Sequence, residues 1–195
     1  MNFQLAKEYA LKRLESELPS NLYYHGLHHT KDECSAAEYL AKLENIQGEE
    51  LTLLRTAAWY HDVGFIRQYQ KNEPIAAEIA CETLPKFGYT PQQIEVVRTC
   101  ILATEIPQNP QTLLEKILCN ADLDYLGRDD FYMIAQSLRR EWIENGIFTN
   151  SLKVWYELQL KFLNMHQYHT QSAVALRNQA KQLHIAELKE LLGVE

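Results

Sequence analysis

Residues 51–64 read LTLLRTAAWYHDVG, and their apolar positions recur with the 3.6-residue period of an α-helix. Most of the segment is apolar, and a helix that is apolar around most of its surface belongs in the interior of a protein. The run stops at Gly64, a residue that disfavours continuation of a helix. We therefore expect a buried central helix that begins at about Leu51 and ends in the pair His61-Asp62.

Helical periodicity extends over nearly the whole chain, and strand-like alternation is hard to find. Local signals mark several helix ends: Thr90-Pro91 followed by Gln93 is a capping box, and Gly88 stands where a left-handed cap is needed. The sequence therefore predicts an all-α bundle of about eight to ten helices. Besides the central helix, we expect helices over residues 2–18, from His29 or Thr30 to about Glu44, over 73–87, from Thr90 to about Ala103, over 112–121, from Asp129-Asp130 to about Glu144, from Asn150 or Ser151 to about Leu163, and over about 170–192.

Length and composition restrict the class of protein. The 195 residues fit a single domain better than two, and 46% hydrophobic with 23% charged residues is typical of a globular chain. Nineteen basic against 26 acidic residues give a net charge of −7, the wrong sign for a surface that holds a nucleic-acid backbone. The charged start of the chain lacks the apolar core of a signal peptide, and no run of about 18 apolar residues occurs. We expect a cytoplasmic protein with neither membrane nor nucleic acid as partner.

The four cysteines, Cys34, Cys81, Cys100 and Cys119, are scattered and form no CxxC pair. They match neither a zinc ribbon nor a disulfide framework. We expect them to be reduced residues that pack in the interior.

Three clusters carry side chains suited to metal binding. His61-Asp62 is one; Tyr24–Thr30, which places three of the seven histidines within five residues, is another. In the third, Asp122 follows an apolar helix, and a buried carboxylate there must be paired, protonated or bound to metal. Asp124, two positions on, is expected to be solvated or to cap a helix. Imidazole nitrogen with carboxylate oxygen suits Mn, Fe, Ni, Zn or Mg.

The order YHxxxHT, then HD, then ADLxxLG resembles the HD superfamily of metal-dependent phosphohydrolases, in particular its small stand-alone bacterial members. The resemblance implies an HD-type helical domain with its motifs within about residues 20–130 and further helices, about 130–192, packed on it. It implies one divalent ion held by His29, His61, Asp62 and Asp122. Asp62 would be both ligand and catalytic residue, and it could bridge to a second, mostly hydrated ion.

Two departures narrow the chemistry that the resemblance implies. No histidine lies between His61 and His166, whereas dinuclear members have further histidines there, which disfavours a two-iron oxygenase. Asn72-Glu73 stands where many relatives have His-Glu. This favours, mildly, a non-catalytic metal- or nucleotide-binding sensor module as the alternative to an enzyme.

The chemistry that these ligands permit is metal-assisted hydrolysis of a phosphate ester or anhydride, in a nucleotide or another small phosphorylated metabolite. His25 is the candidate for protonating the leaving oxygen. The sequence does not fix the oligomeric state, and a homo-oligomer is one alternative. Glu73 could instead be a carboxylate at a helix end, and His169 could instead mark the loop before the last helix. The candidate substrate-binding residues are Lys31, Arg67, Glu73, Arg128 and His169.

Overall fold

The structure is a computed structural model that describes residues 1–148 and 151–194. Over these residues the chain forms nine α-helices and three short 3-10 helices, without a strand, so the all-α prediction is confirmed. None of the described helices has the length and apolar character needed to cross a membrane. The α-helices are α1 (Phe3–Glu17), α2 (Leu27–Leu43), α3 (Gly48–Tyr60), α4 (Asn72–Thr83), α5 (Pro91–Ala103), α6 (Leu113–Asp122), α7 (Phe131–Glu144), α8 (Leu152–Met165) and α9 (Gln171–Leu192).

Capping signals in the sequence place several of these ends correctly. At the start of α5, Thr90 Oγ1 accepts from the Gln93 backbone N–H at 3.3 Å, and Gln93 Oε1 accepts from the Thr90 N–H at 3.0 Å. Gly88 has a φ of 75°, as expected for a left-handed cap. Ser151 caps α8 through a bond from the Val154 N–H, while Asn150, the alternative start, lies outside the described residues.

The central helix α3 begins three residues earlier than predicted. Glu49 and Glu50 lie in its first turn, where their negative charges stabilise the positive end of the helix. These polar residues precede the apolar run, and for that reason the sequence pattern placed the helix start after them. Leu54, Ala57 and Ala58 are fully buried, and α3 packs against α1, α2 and α5. The buried central position is therefore confirmed.

Buried apolar side chains form two clusters. The larger cluster includes side chains from each of the helices α1 through α6, and Leu40, Leu54 and Ile117 are among its fully buried members. The smaller one joins α7, α8 and α9 around Phe131 and Trp155. The four cysteines are free, and all but Cys81 are buried, in line with the packing role predicted for them.

A short 3-10 helix, Asp124–Gly127, lies between α6 and α7 in the chain and packs against α9. Asp124 is buried and accepts two bonds from the Arg177 guanidinium of α9, at 2.7 and 2.9 Å, so the solvated or capping role expected for it is wrong. The sequence could not show this, because Arg177 is 53 residues away. Gly127 packs directly on α9, where an added Cβ would lie 2.3 Å from the Arg177 carbonyl oxygen. These contacts fix the segment that directly follows Asp122.

Candidate metal centre

Three helices bring the predicted ligands together. His29 lies in the first turn of α2, His61 and Asp62 directly follow α3, and Asp122 is the last residue of α6. Helix α2 packs against both α3 and α6. The chain thus collects four side chains from positions far apart in sequence.

The distances between these side chains suit one ion. His29 Nε2 lies 3.3 Å from Asp122 Oδ1 and 3.6 Å from Asp62 Oδ2, and His61 Nε2 lies 3.1 Å from the same Asp62 oxygen. Two ligand atoms that each lie about 2.1 Å from one ion are at most about 4.2 Å apart. All three distances fall within that limit.

Unpartnered polar atoms show that the cluster fits a cation. His29 Nε2, His61 Nε2 and Asp62 Oδ2 are buried and make no hydrogen bond. Their other atoms are held: His61 Nδ1–H donates to the Ala58 carbonyl at 2.9 Å, and Asn72 Nδ2 donates to Asp62 Oδ1 at 3.1 Å. Such bonds orient a ligand and fix its tautomer, so the remaining atoms are free to bind a metal. The donor set suits a divalent ion.

Glu33 is a fifth side chain of the cluster, and the sequence reasoning missed it. It is 1% exposed, both its oxygens lack a hydrogen-bond partner, and it contacts His61 Nε2. One ligand atom from each of Glu33, His29, His61 and Asp122 lies within 4.8 Å of the others. The signal was its position four residues after His29, which places both on one face of α2.

Burial and mutual charge shift the proton affinities in this cluster. Burial raises the pKa of Glu33 to about 8. Burial alone would lower the pKa of His61, but the neighbouring Asp62 and Glu33 raise it well above its usual range. Burial would raise the pKa of Asp62, but His61, together with His25 and His29, outweighs that effect and holds the pKa of Asp62 well below its usual range. The carboxylates of the cluster therefore favour a positive charge at its centre, which a bound cation would supply in place of the proton on His61.

His25 lies beside the cluster and has a fully buried partner, Glu141 of α7. His25 Nδ1–H donates to Glu141 Oε1 at 2.5 Å, and Tyr69 donates to the same oxygen at 2.7 Å. The backbone N–H groups of Tyr24 and His25 donate to Oε2 at 2.7 and 3.0 Å. Burial would lower the pKa of His25, but the bond to Glu141 and the negative charges of Glu141, Asp62 and Asp122 together outweigh that effect and raise the pKa. The sequence did not indicate Glu141, which lies 116 residues away.

A cavity of about 470 Å³ opens onto the cluster. Its polar end contains His25, His61, Asp62 and Asp122, together with Asn72 and Glu73. Burial raises the pKa of Glu73. The rest of its wall is largely apolar and aromatic, from Phe65, Tyr69, Ile106, Leu123, Leu138, Trp142, Leu158, Phe162 and Met165.

The predicted substrate-binding residues are not gathered at this cavity. Of them, Glu73 lines it, whereas Lys31 is exposed on α2 and Arg67 is exposed beside Glu78 and Glu82. Arg128 pairs with Asp32 and Asp130. His169 lies at an adjacent, smaller pocket, 3.4 Å from Gln108. The cations that do line the cavity, among the described residues, are Lys71 and Lys161.

A second cavity, of about 210 Å³, reaches the cluster from another side. His28, which follows the capping Gly26, lines it with Asp32, and His29, Glu33 and Asp122 are shared with the cluster. The candidate metal ligands therefore line two cavities.

Comparisons with known proteins agree with this geometry. The HD domain family model matches residues 34–124, a range that contains His61, Asp62 and Asp122 and begins after His29. A crystal structure of a predicted HD superfamily hydrolase from an uncultured Thermotogales bacterium has the same fold: the TM-score is 0.63 at 19% identity, covering 95% of this chain and 91% of that one. No curated protein matches the sequence significantly. Residues 34–124 thus match the HD domain family, and the fold of the chain is similar to that of the predicted HD superfamily hydrolase.

Proposed function

We propose that the protein is a metal-dependent phosphohydrolase that acts on a small phosphorylated metabolite. One observation carries the proposal: the unpartnered atoms of His29, His61 and Asp62 lie together, and His61 and Asp62 line a cavity that also contains His25. Buried polar atoms without partners cost folding free energy, so their retention calls for a ligand. His29, His61, Asp62 and Asp122 would hold one divalent ion, chosen from Mn, Fe, Ni, Zn and Mg.

The chemistry that a bound ion supplies is polarisation of the phosphoryl oxygens and a lowered pKa for a water molecule. His25 is suited to the proton transfer that must accompany cleavage. Glu141 holds its Nδ1–H, which leaves Nε2 as the nitrogen that can donate to the leaving oxygen. The raised pKa of His25 favours the protonated ring that a general acid needs.

Two lysines replace the predicted basic residues as partners for the substrate. Lys71 and Lys161 are exposed at the wall of the cavity, whereas Arg128 already binds two carboxylates. We assign to these lysines the attraction of the anionic substrate, a role that needs charge more than exact geometry.

A second candidate function, a sensor that binds metal or a nucleotide without turnover, is favoured by Asn72. Its amide occupies Asp62 Oδ1, one of the two oxygens through which Asp62 would bridge to a second ion. A hydrolase that needs two ions would be impaired by this bond.

The test is a matrix of metals and substrates. Protein purified without a histidine tag is supplied with Mn, Mg, Ni, Fe or Zn and assayed for phosphate release from monoesters, diesters and pyrophosphates. We expect turnover above metal-only controls with at least one pair and none in His61→Ala. Stoichiometric metal binding without turnover on any substrate would favour the sensor.

A further inference from the structure

Glu141 of α7 is a fully buried carboxylate that accepts four hydrogen bonds. Its Oε2 atom accepts from the backbone N–H groups of Tyr24 and His25, and its Oε1 atom accepts from His25 Nδ1 and from the Tyr69 hydroxyl. Burial would raise the pKa of Glu141, but the bonds from His25, Tyr69 and the Tyr24 backbone, with the charge of His25, outweigh that effect and lower the pKa. Glu141 is therefore an ionised acceptor, to which the His25 ring must donate.

The His25 ring is held on its other sides by aromatic contacts. Phe65 packs on the ring at 4.3 Å between ring centroids, and Tyr24 packs edge-on at 4.5 Å. The ring lines the cavity, and its side chain is 20% exposed. Because Glu141 occupies Nδ1, the nitrogen left to face the cavity is Nε2.

The four donors to Glu141 are not equivalent, and this makes the carboxylate specific. A backbone N–H can only donate, whereas an imidazole nitrogen and a tyrosine hydroxyl can each donate or accept. A glutamine at position 141 would have one oxygen that accepts and one amide nitrogen that only donates. The two backbone N–H groups would require the oxygen, so the amide nitrogen would face His25 and Tyr69. His25 Nδ1 would then have to accept, and the proton of the neutral ring would move to Nε2.

We propose that Glu141 is a positioning residue that fixes the tautomer of His25: it keeps a proton on Nδ1 and directs Nε2 into the cavity. A carboxylate in this position holds an imidazole in one orientation and stabilises its protonated form. The consequence for turnover rests on the phosphohydrolase proposed above, in which His25 donates a proton, whereas the tautomer does not depend on that function. Glu141 lies on α7, beyond the residues 34–124 that the HD family model matches, so a later helix contributes to the site.

Nitrogen NMR reads the tautomer without any turnover. The full chain is labelled at its histidine ring nitrogens and measured in EDTA at alkaline pH, where the ring is neutral, and His25→Asn identifies the His25 signals. The parent should carry the proton on Nδ1, and Glu141→Gln should carry it on Nε2. A parent ring protonated at Nε2 overturns the inference, whether or not the variant folds.

Glu144→Gln is the matched control, because Glu144 lies on the same helix and contacts Tyr23 and Arg140 instead. It should leave the His25 tautomer as it is in the parent. If Glu141 only stabilised the fold, Glu141→Gln would lose stability and keep the proton on Nδ1. That result would overturn the inference.

Turnover separates the inference from the proposed function. With an active pair of metal and substrate, Glu141→Gln should keep its metal content and its KM while kcat falls by about 10²–10⁴-fold, as expected for an impaired proton donor. An unchanged kcat in a variant protonated at Nε2 would overturn the positioning role. The two expected tautomers without turnover of the parent under any metal would support Glu141 as the residue that fixes His25 and refute the hydrolase.

Discussion

His25 and His61 line the same cavity but hold different partners, and this predicts different consequences of removing them. His61→Ala takes away an atom of the metal cluster, so both metal content and turnover should be lost. His25→Ala leaves that cluster intact and removes only proton transfer, so metal content should persist while turnover falls by about 10²–10⁴-fold. Elemental analysis and the phosphate-release assay together distinguish the two.

Other results would reassign the residues. Loss of metal in His25→Ala would make His25 a ligand and put His29 in doubt. Full activity in His25→Ala would move the proton donor elsewhere, to His28 or His169.

Glu33 carries a second prediction at this scale. Glu33→Gln keeps the shape of the side chain but removes the charge beside His29 and His61, so metal affinity should fall by about tenfold or more. The metal-free variant should be about as stable as the parent at pH 7, because burial raises the pKa of Glu33 to about 8 and the neutral amide then replaces a carboxyl that is already largely neutral. Calorimetric metal titration and thermal unfolding measure these effects. Glu38→Gln, exposed on the same helix, is the control, and unchanged affinity in Glu33→Gln would exclude Glu33 from the site.

Helix α9 is held against the 3-10 helix after Asp122, and the contact depends on Gly127. Gly127→Ala would bring a Cβ to within 2.3 Å of the Arg177 carbonyl oxygen, so α9 must shift. Overpacking of this kind costs about 1–3 kcal/mol in the free energy of unfolding. Chemical denaturation measures the loss. Gly26→Ala is the control, because there the closest atom, at 2.9 Å, belongs to the His28 ring, and a loss as large as that in Gly127→Ala would refute the explanation.

The junction between α8 and α9 contains a histidine that resists protonation. Burial, with Lys181 nearby, lowers the pKa of His166 to about 3. Below its ordinary value of 6.5 the unfolded chain therefore gains a proton that the folded chain does not. His166 thus lowers stability as the pH falls from about 6.5 towards 3. In thermal unfolding at pH 7 and pH 5, His166→Asn should lose less stability between the two pH values than the parent, and an equal loss would contradict the assignment.

Sequence signals placed individual elements well where the cause is local. The capping box at Thr90 and Gln93 and the left-handed Gly88 were predicted because their contacts lie within a few residues. The partner of His25 was not predicted, because Glu141 lies 116 residues away in the sequence and contacts His25 only in the folded chain. Arg128 was predicted near the phosphate because it is close to Asp122 in sequence, yet Asp32 and Asp130 hold it.

At the scale of the molecule, the candidate metal centre links helices that lie far apart in the chain. Its candidate ligands run from His29 to Asp122, so only the folded chain presents them together, and a metal bound by them must stabilise the fold. Free metal at about 100 times Kd should add about 2.7 kcal/mol, or about 5–10 °C in Tm for a chain of this length. Thermal unfolding with and without EDTA should show the shift in the parent and in His25→Ala. If the metal-dependent shift in Tm persisted in His61→Ala, the ion would bind elsewhere.

Division of the cavity between two parts of the chain has an evolutionary consequence. The candidate ligands lie on α2, directly after α3 and on α6, whereas the apolar wall belongs largely to α7 and α8. Substitutions at wall positions such as Leu138, Leu158 and Met165 can change the shape of the cavity, and so the part of a substrate that it accepts, while every candidate metal ligand is kept. Descendants of one ancestral chain can therefore diverge in the molecules they accept while they inherit a single reaction.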